Sequence, residues 1–261
     1  MRSLITLKLT LEYHGGGFSG WAYQPGLRTV QGVLSEALGT LLRTQPVLSV
    51  AGRTDTGVHA RGQVVSFAFG EERDLRVLRR SLNAVLPRDV SVVRIERAPD
   101  GFDARRDALA RTYCYRVLAR EAPSPFWLDR ALWWPRSLDV EALHRCAGLL
   151  VGTHDFTAFT PTQTEHVRFE REVFRAEWLR AGEVLEFWIE ADTFMRHMVR
   201  VLVGTMLEVA GRGRTLEQFA SLLQGAGRSE AGSTAEPHGL CLEGVAYRAA
   251  RQQPESGAEP F

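Results

Sequence analysis

Residues 47–69 read VLSVAGRTDTGVHARGQVVSFAF, in which two apolar runs enclose a polar segment. The runs Val47–Val50 and Val64–Phe69 are rich in β-branched and aromatic residues, which predicts a strand on each side. The thirteen residues between them, 51–63, include three glycines, two arginines, one aspartate and one histidine. Because glycine lets a ligand approach the backbone closely, this composition favours a functional loop between two strands.

Helices are predicted on both sides of this segment. Apolar residues recur at three- and four-residue spacing over Val30–Leu42 and again over Asp74–Ala84, as on the buried face of an amphipathic helix. Polar and apolar residues alternate over Leu7–Tyr13, which predicts a strand before the first helix. A further strand, Val90–Ile95, is predicted after the second helix. The first half of the chain therefore mixes strands and helices.

The second half of the chain repeats this arrangement. Its predicted helices are Leu138–Leu150, Met195–Ala210 and Leu216–Leu223, and its predicted strands are Tyr113–Leu118, Glu172–Arg180, Val184–Ala191 and Leu240–Arg248. Neither half shows the strict alternation of strand and helix that a parallel sheet requires, which favours an α+β fold. We predict two similar RRM/ferredoxin-like α/β sandwich halves, residues 1–105 and 106–250, followed by a polar tail at 251–261. Their antiparallel sheets join into one extended sheet, and the active-site cleft lies between the halves.

The charge is distributed unevenly between the halves of the chain. The 261 residues have a net charge of +1. Residues 1–130 carry 19 basic and 13 acidic residues, a balance of +6, whereas residues 131–261 carry 13 and 18, a balance of −5. A polyanionic partner is therefore compatible with the first half. Every basic residue except Lys8 is an arginine, and the sequence leaves open whether this bias reflects a GC-rich genome or thermostability.

Composition and cofactor motifs narrow the class of protein. The three cysteines form no CxxC pair, and no apolar run is long enough for a signal peptide or a membrane span, so we predict a cytoplasmic protein. Gly15–Gly20 matches the dinucleotide pattern GxGxxG, but the helix that should receive the pyrophosphate begins only near Val30. We interpret this run as a mobile glycine loop with exposed aromatic residues. With no Walker lysine motif and no HExxH pair, we predict neither a nucleotide cofactor nor a metal.

Asp55 is the candidate reactive group of residues 51–63. A single carboxylate held among arginines stays ionised, which suits a nucleophile better than a general acid. The structural alternative is a hairpin connection in which Asp55 only caps a turn. A glycosidase-like hydrolase is disfavoured because it requires paired carboxylates and the loop offers one.

Residues 52–64, GRTDTGVHARGQV, resemble the signature loop of the TruA family of tRNA pseudouridine synthases, whose usual form is GRTDAGVHA.GQV. Other segments resemble the same family: LEYHGGGFSGWAYQP at 11–25, LNAVLPRDV at 82–90, GFDARRDALARTYCYRV at 101–117, LVGTHDFTAF at 150–159, and the segment at 194–210. The matching segments run in family order from about Leu11 to Tyr247. The resemblance therefore covers essentially the whole chain.

The resemblance implies a role for each of five residues. Asp55 is similar in position to the essential aspartate of pseudouridine synthases, and Arg53 to the arginine that helps to extrude the target nucleotide. Tyr113 corresponds to the tyrosine that packs against the uracil, Arg200 to the basic partner of the aspartate, and Leu240 to an apolar wall of the pocket.

Three neighbouring residues are given no catalytic role. Tyr115 alternates with Tyr113 along a strand, so one of the two tyrosines could belong to the core. His59 and His197 are interpreted as structural histidines.

The resemblance also implies an activity. It is the isomerisation of uridine to pseudouridine in the anticodon arm of tRNA, at positions 38, 39 and 40, by a homodimer without a cofactor. Asp55 would act either as a nucleophile at the sugar or as a base in an elimination, and the sequence leaves both open. The rival hypothesis is a non-catalytic RNA-binding protein of two RRM-like units. The sequence contains no RNP1-like string, and this hypothesis gives Asp55 no role.

Overall fold

The computed structural model describes residues 4–70, 72–164 and 167–248. The strands are β1 Ile5–Tyr13, β2 Ser49–Val50, β3 His59–Phe69, β4 Val90–Ala98, β5 Ala108–Leu118, β6 Leu132–Trp133, β7 Gly152–Asp155, β8 Glu170–Ala181, β9 Val184–Ala191 and β10 Leu240–Tyr247. The helices are α1 Val30–Leu42, α2 Leu75–Val85, α3 Val140–Leu150, α4 Met198–Ala210 and α5 Leu216–Ser221. The predicted polar tail, residues 251–261, lies outside the described residues.

All ten strands of the described residues belong to one sheet. Its order is β4-β1-β3-β10-β5-β9-β8-β7, with β2 beside β3 and β6 beside β5. The last strand, β10, pairs in parallel with β3 and antiparallel with β5, so it joins the strands of the two predicted halves. The α+β class and the single extended sheet are confirmed, although the parallel pairs β10–β3 and β6–β5 make the sheet mixed rather than purely antiparallel. The boundary at residue 105 stays a prediction.

One face of the sheet carries the helices. Side chains from all five helices pack with the inward side chains of the strands into one apolar core, including Leu34, Leu82, Leu143, Leu202 and Phe219 from the helices and Leu9, Phe67, Tyr115 and Phe187 from the strands. Alternation along β5 turns Tyr113 and Tyr115 toward the helices and Arg116 toward the opposite face. There Arg116 binds Glu186 and Glu243, each at 2.9 Å.

Three helices begin later than the apolar periodicity predicts. Asp74 accepts hydrogen bonds from the backbone N–H of the first turn of α2, so it is the N-cap rather than the first helical residue. Asp139 caps α3 in the same way, and the predicted first residue, Leu138, lies outside the helix. Helix α4 begins at Met198 instead of Met195, because His197 has a left-handed backbone with φ of 62°. Capping and backbone geometry, rather than periodicity, set these ends.

The polar loop is shorter than predicted. Strand β3 begins at His59, five residues before the predicted Val64, because Ala60 pairs with Tyr13 of β1 and His59 pairs with Cys241 of β10. Strand β2 is also short and comprises only Ser49–Val50. The loop that carries Asp55 is therefore residues 51–58, called the Asp55 loop below.

Candidate active site

The Asp55 loop ends in a tight turn that begins at Asp55. The backbone N–H of Val58 donates to the Asp55 carbonyl at 3.1 Å, and Gly57 has φ of 80°. A Cβ at Gly57 would lie 2.8 Å from Cγ of Pro237 as well, so glycine is required by both conformation and space. Asp55 therefore does occupy a turn, as the structural alternative proposed, but its carboxylate is free to contact other side chains.

A buried hydrogen-bond network holds the middle of the loop. The Tyr13 hydroxyl lies 2.7 Å from Oγ1 of Thr54, and the Gln63 amide donates to that hydroxyl at 3.2 Å and to the Gly52 carbonyl at 2.7 Å. Tyr13, Thr54 and Gln63 are all buried. The neighbour of Thr54, Arg53, is exposed to solvent. Burial raises the pKa of the Tyr13 hydroxyl, so it stays protonated.

Arg200 of α4 forms an ion pair with Asp55. Its Nη1 lies 3.3 Å from Oδ2 of Asp55, and its Nε donates to the Ala235 carbonyl at 2.8 Å. The side chains of Arg200 and Asp55 are 13% and 23% exposed. The two residues are 145 positions apart in the sequence, so distant parts of the chain supply the two partners. The second contact, to Ala235, fixes the guanidinium in the plane from which it reaches Asp55.

His197 also contacts Asp55, which the sequence did not predict. Its Nε2 lies 3.7 Å from Oδ2 of Asp55. Burial lowers the pKa of His197, which favours the neutral ring, although the charge of Asp55 acts in the opposite direction. The sequence signal was weak: His197 lies three residues before Arg200, but it has a left-handed backbone and precedes α4, so helical spacing does not place it beside Arg200.

Tyr113 lies in β5 and Leu240 begins β10, and both side chains are buried. The Tyr113 ring is 7% exposed and makes an edge contact with Phe194 at a centroid distance of 5.1 Å. The pKa of its hydroxyl is raised by burial first, then by Tyr13 and the charge of Asp55. Leu240 is 4% exposed and begins β10 opposite Tyr115. Tyr115 is fully buried and its hydroxyl donates to the Glu236 carbonyl, so it belongs to the core.

A segment that precedes β10, residues 232–239, lies directly on α4. Backbone N–H groups of this segment bind Oγ1 of Thr205 and the carbonyl of Arg200, at 3.0 and 3.1 Å. Gly204 makes this approach possible, since a Cβ there would lie 1.8 Å from the Ser233 carbonyl oxygen. The segment therefore holds the backbone of Arg200 in place, and Leu240 follows it directly in the sequence.

Similarity to known proteins shows the family of this chain. A family model described as tRNA pseudouridine synthase matches residues 146–248. A tRNA pseudouridine synthase A of Frankia casuarinae is 45% identical over 248 residues, which cover 94% of this chain and 90% of that protein. The chain belongs to the tRNA pseudouridine synthase A family. It is an isomerase that converts uridine to pseudouridine in tRNA.

Other relatives are similar over the same length. The tRNA pseudouridine synthase A of Bartonella bacilliformis is 37% identical over 94% of this chain and 100% of its own, and that of a Geobacter species is 38% identical over 92% and 98%. Among solved structures, a Cbf5-Nop10-Gar1 complex aligns with 77% of this chain and 53% of its own at 11% identity, with a TM-score of 0.36.

The glycine run of the synthase supports the Asp55 loop. Gly15 lies against the carbonyl of Val58, where a Cβ would be 2.1 Å from the oxygen. The prediction of exposed aromatic residues in this run was wrong for Phe18 and Trp21, which are 3% and 1% exposed, because both side chains join the core. Only Tyr23, at 64%, is exposed as predicted.

Three further features of the synthase concern possible metal ligands, long apolar helices and cysteines. In the three described ranges there is no group of three histidine, cysteine, aspartate or glutamate residues arranged to bind a metal ion. The same residues contain no helix with the length and apolar character to cross a bilayer. Cys114, Cys146 and Cys241 are free and buried, and burial raises the pKa of each thiol.

His59 links three elements of the synthase. The backbone N–H of Gly15 donates to its Nδ1 at 3.0 Å, so Nδ1 carries no proton and Nε2–H donates to the His238 carbonyl at 3.1 Å. Burial lowers the pKa of His59 to about 4, and the neighbouring His14 ring adds to the effect. His59 is therefore a neutral structural residue, in agreement with its interpretation from the sequence.

We expect His59 to make the synthase less stable in mild acid. The unfolded chain gains a proton on this histidine near pH 6.5, whereas the folded protein does so only near pH 4. The free energy of unfolding should therefore fall between these two pH values, by up to about 3 kcal/mol. Urea unfolding at pH 7 and pH 4.5 measures this loss. His59→Gln should show a smaller loss than the control His144→Gln, whose side chain is exposed; equal losses would contradict the prediction.

Proposed function

We propose that this synthase isomerises uridines 38, 39 and 40 in the anticodon stem-loop of tRNAs, with Asp55 as the catalytic carboxylate. The observation that supports this most directly is the 3.3 Å pair of Asp55 and Arg200 beside Tyr113. A carboxylate that is partly accessible, at 23% exposure, can reach a substrate atom while a fixed guanidinium orients it. Gly57 and Gly15 hold the loop in position without adding side chains.

The reaction is a rearrangement within one nucleotide. The N1–C1′ bond breaks, the uracil turns, and C5 bonds to C1′; the proton lost from C5 is balanced by one gained at N1. In one route Asp55 attacks the sugar as a nucleophile, and in the other it removes a sugar proton and elimination follows. Both routes need an oxygen of Asp55 close to the ribose, and neither needs an oxidant or a second substrate.

The other site residues act on an extruded nucleotide. A uridine stacked in an RNA helix cannot reach Asp55, so it must turn out of the stack at a cost of a few kcal/mol. Arg53, exposed two residues before Asp55, is suited to fill the vacated space and to contact phosphate. The ring of Tyr113 would pack on the uracil, and Leu240 would provide an apolar wall beside it.

The partner in this proposal is the folded anticodon arm rather than a base sequence. Structured RNA is recognised mainly through its shape and its backbone, and several tRNAs with different loops can therefore be substrates. The +6 balance of residues 1–130 favours contact with phosphates. Family resemblance further supports a homodimer in which one tRNA contacts both subunits.

The proposal is tested with anticodon stem-loops that contain one uridine labelled with tritium at C5. Because C5 loses its hydrogen on isomerisation, each turnover releases one tritium. We expect release when the labelled uridine is at position 38, 39 or 40, and at least 100-fold slower release when the only uridine lies elsewhere in the same loop. Equal rates at all positions would contradict the positional part of the proposal.

A further inference from the structure

Arg111 is a buried arginine whose guanidinium binds only backbone carbonyls. It lies near the start of β5 and is 7% exposed. Its Nε and Nη2 donate to the Ala51 carbonyl at 3.1 and 2.8 Å, and Nη1 donates to the Asp192 carbonyl at 2.8 Å. Further bonds run to the carbonyls of Ala108 and Arg105, each at 3.1 Å. Among the hydrogen bonds of the described residues, none joins Arg111 to a carboxylate.

Burying a guanidinium costs free energy unless its N–H donors are hydrogen-bonded. Burial lowers the pKa of Arg111, although the guanidinium remains protonated. A cation in this environment needs hydrogen bonds to most of its N–H groups, and the five observed bonds meet that need. Only a planar fork with five donors can bind four carbonyls at once, so lysine cannot replace this arginine.

The two shortest hydrogen bonds of Arg111, to the carbonyls of Ala51 and Asp192, connect two backbone segments that border the site. Ala51 is the first residue of the Asp55 loop. Asp192 directly follows β9 and lies two residues before Phe194, which contacts Tyr113. The chain continues from there to His197 and α4, and thus to Arg200. One guanidinium therefore joins the backbone that carries Asp55 to the backbone that carries its partner.

We propose that Arg111 is a positioning residue for the isomerisation, which sets the separation of Asp55 from Arg200 by holding the carbonyls of Ala51 and Asp192. This rests on the proposed role of Asp55. A displacement of about 1 Å between reacting groups can reduce turnover about 100-fold. Loss of the fork should therefore lower kcat, while tRNA binding should be retained because the Arg111 side chain is buried.

The test compares Arg111→Lys with Arg116→Lys. Arg116 lies on the same strand and is also largely buried, but it points to the face of the sheet opposite Tyr113 and binds Glu186 and Glu243. We expect Arg111→Lys to lower kcat about 100-fold with KM for bulk tRNA within about twofold of wild type. Both substitutions should lower the thermal unfolding temperature, but Arg116→Lys should change kcat less than about threefold.

Chemical rescue separates positioning from folding. Arg111→Ala leaves a space lined by four carbonyl acceptors. Millimolar guanidinium should raise the turnover of this variant at least tenfold, whereas ammonium at the same concentration should not. Turnover of Arg111→Lys equal to that of Arg116→Lys would overturn the proposal. A loss explained by unfolded protein, without rescue, would overturn it as well. Inactivity of the wild-type protein on bulk tRNA would instead overturn the proposed function, and this proposal with it.

Discussion

An Asp55→Asn variant is expected to bind tRNA like the wild-type protein and to release tritium from uracil C5 at least about 10⁴-fold more slowly. The amide keeps the size of the side chain, so the turn at 55–58 is retained. It provides no anionic oxygen, however, and it leaves Arg200 without the carboxylate that now lies 3.3 Å away. Both routes considered for the reaction require that oxygen. Filter binding and tritium release, measured on the same tRNA, give the two quantities.

The control for this variant is Asp74→Asn. Asp74 also carries out a local structural task, as the N-cap of α2, and asparagine is an equally good N-cap. We therefore expect wild-type turnover from the control. Wild-type release of tritium by Asp55→Asn would refute Asp55 as the catalytic group. Tight tRNA binding without turnover by the wild-type protein itself would favour the non-catalytic RNA-binding alternative.

A Gly204→Ala substitution is expected to destabilise the synthase by about 3 kcal/mol or more. The new Cβ would lie 1.8 Å from the Ser233 carbonyl oxygen, and both belong to backbone segments that cannot rotate away. The segment 232–239 must then move off α4, which weakens the bond between Arg200 and Ala235. We expect the unfolding temperature to fall by about 10 °C, and turnover of the remaining folded protein to fall as well.

Gly148→Ala is the matched control for this substitution. Gly148 is also in the interior of a helix, α3, but nothing lies within 4 Å of a Cβ built on it. Alanine is favoured over glycine in a helix by about 1 kcal/mol, so this variant should be slightly more stable than the wild type. If Gly204→Ala were stabilising to the same extent, the close contact with Ser233 would not constrain the fold.

The elements of this fold were predictable where local pattern determines them. The three- and four-residue spacing of apolar side chains predicted α1 at its observed bounds, and alternation predicted β1. The errors occurred at ends that other interactions set, such as the capping side chain of Asp139 and the left-handed backbone of His197. The start of β3 at His59 depends on pairing with β10, about 180 residues away, which no local window contains.

The site, like the fold, was predictable from the sequence only in part. The motif and its resemblance to the family predicted Asp55, Arg53, Tyr113, Arg200 and Leu240 as site residues, and the structure brings Arg200 to Asp55. Sequence reasoning missed the contacts of Tyr13, Gln63 and Arg111, because each residue reads as an ordinary strand position. Their importance comes from burial beside the Asp55 loop. A polar side chain within an apolar strand pattern was the only available signal, and it does not name the partner.

The position of β10 has a consequence for the newly made protein. This strand is synthesised after the other nine described strands, yet it occupies the middle of the sheet and is the only one that pairs with both β3 and β5. A nascent chain can form β1, β3 and β4 early, but the two sides of the site have no shared strand until residue 247 has been added. At about 5–20 residues per second, the ribosome makes the last hundred residues in seconds. Throughout that time the incomplete chain lacks the strand that joins β3 to β5, and we expect it to be inactive on the tRNAs around it.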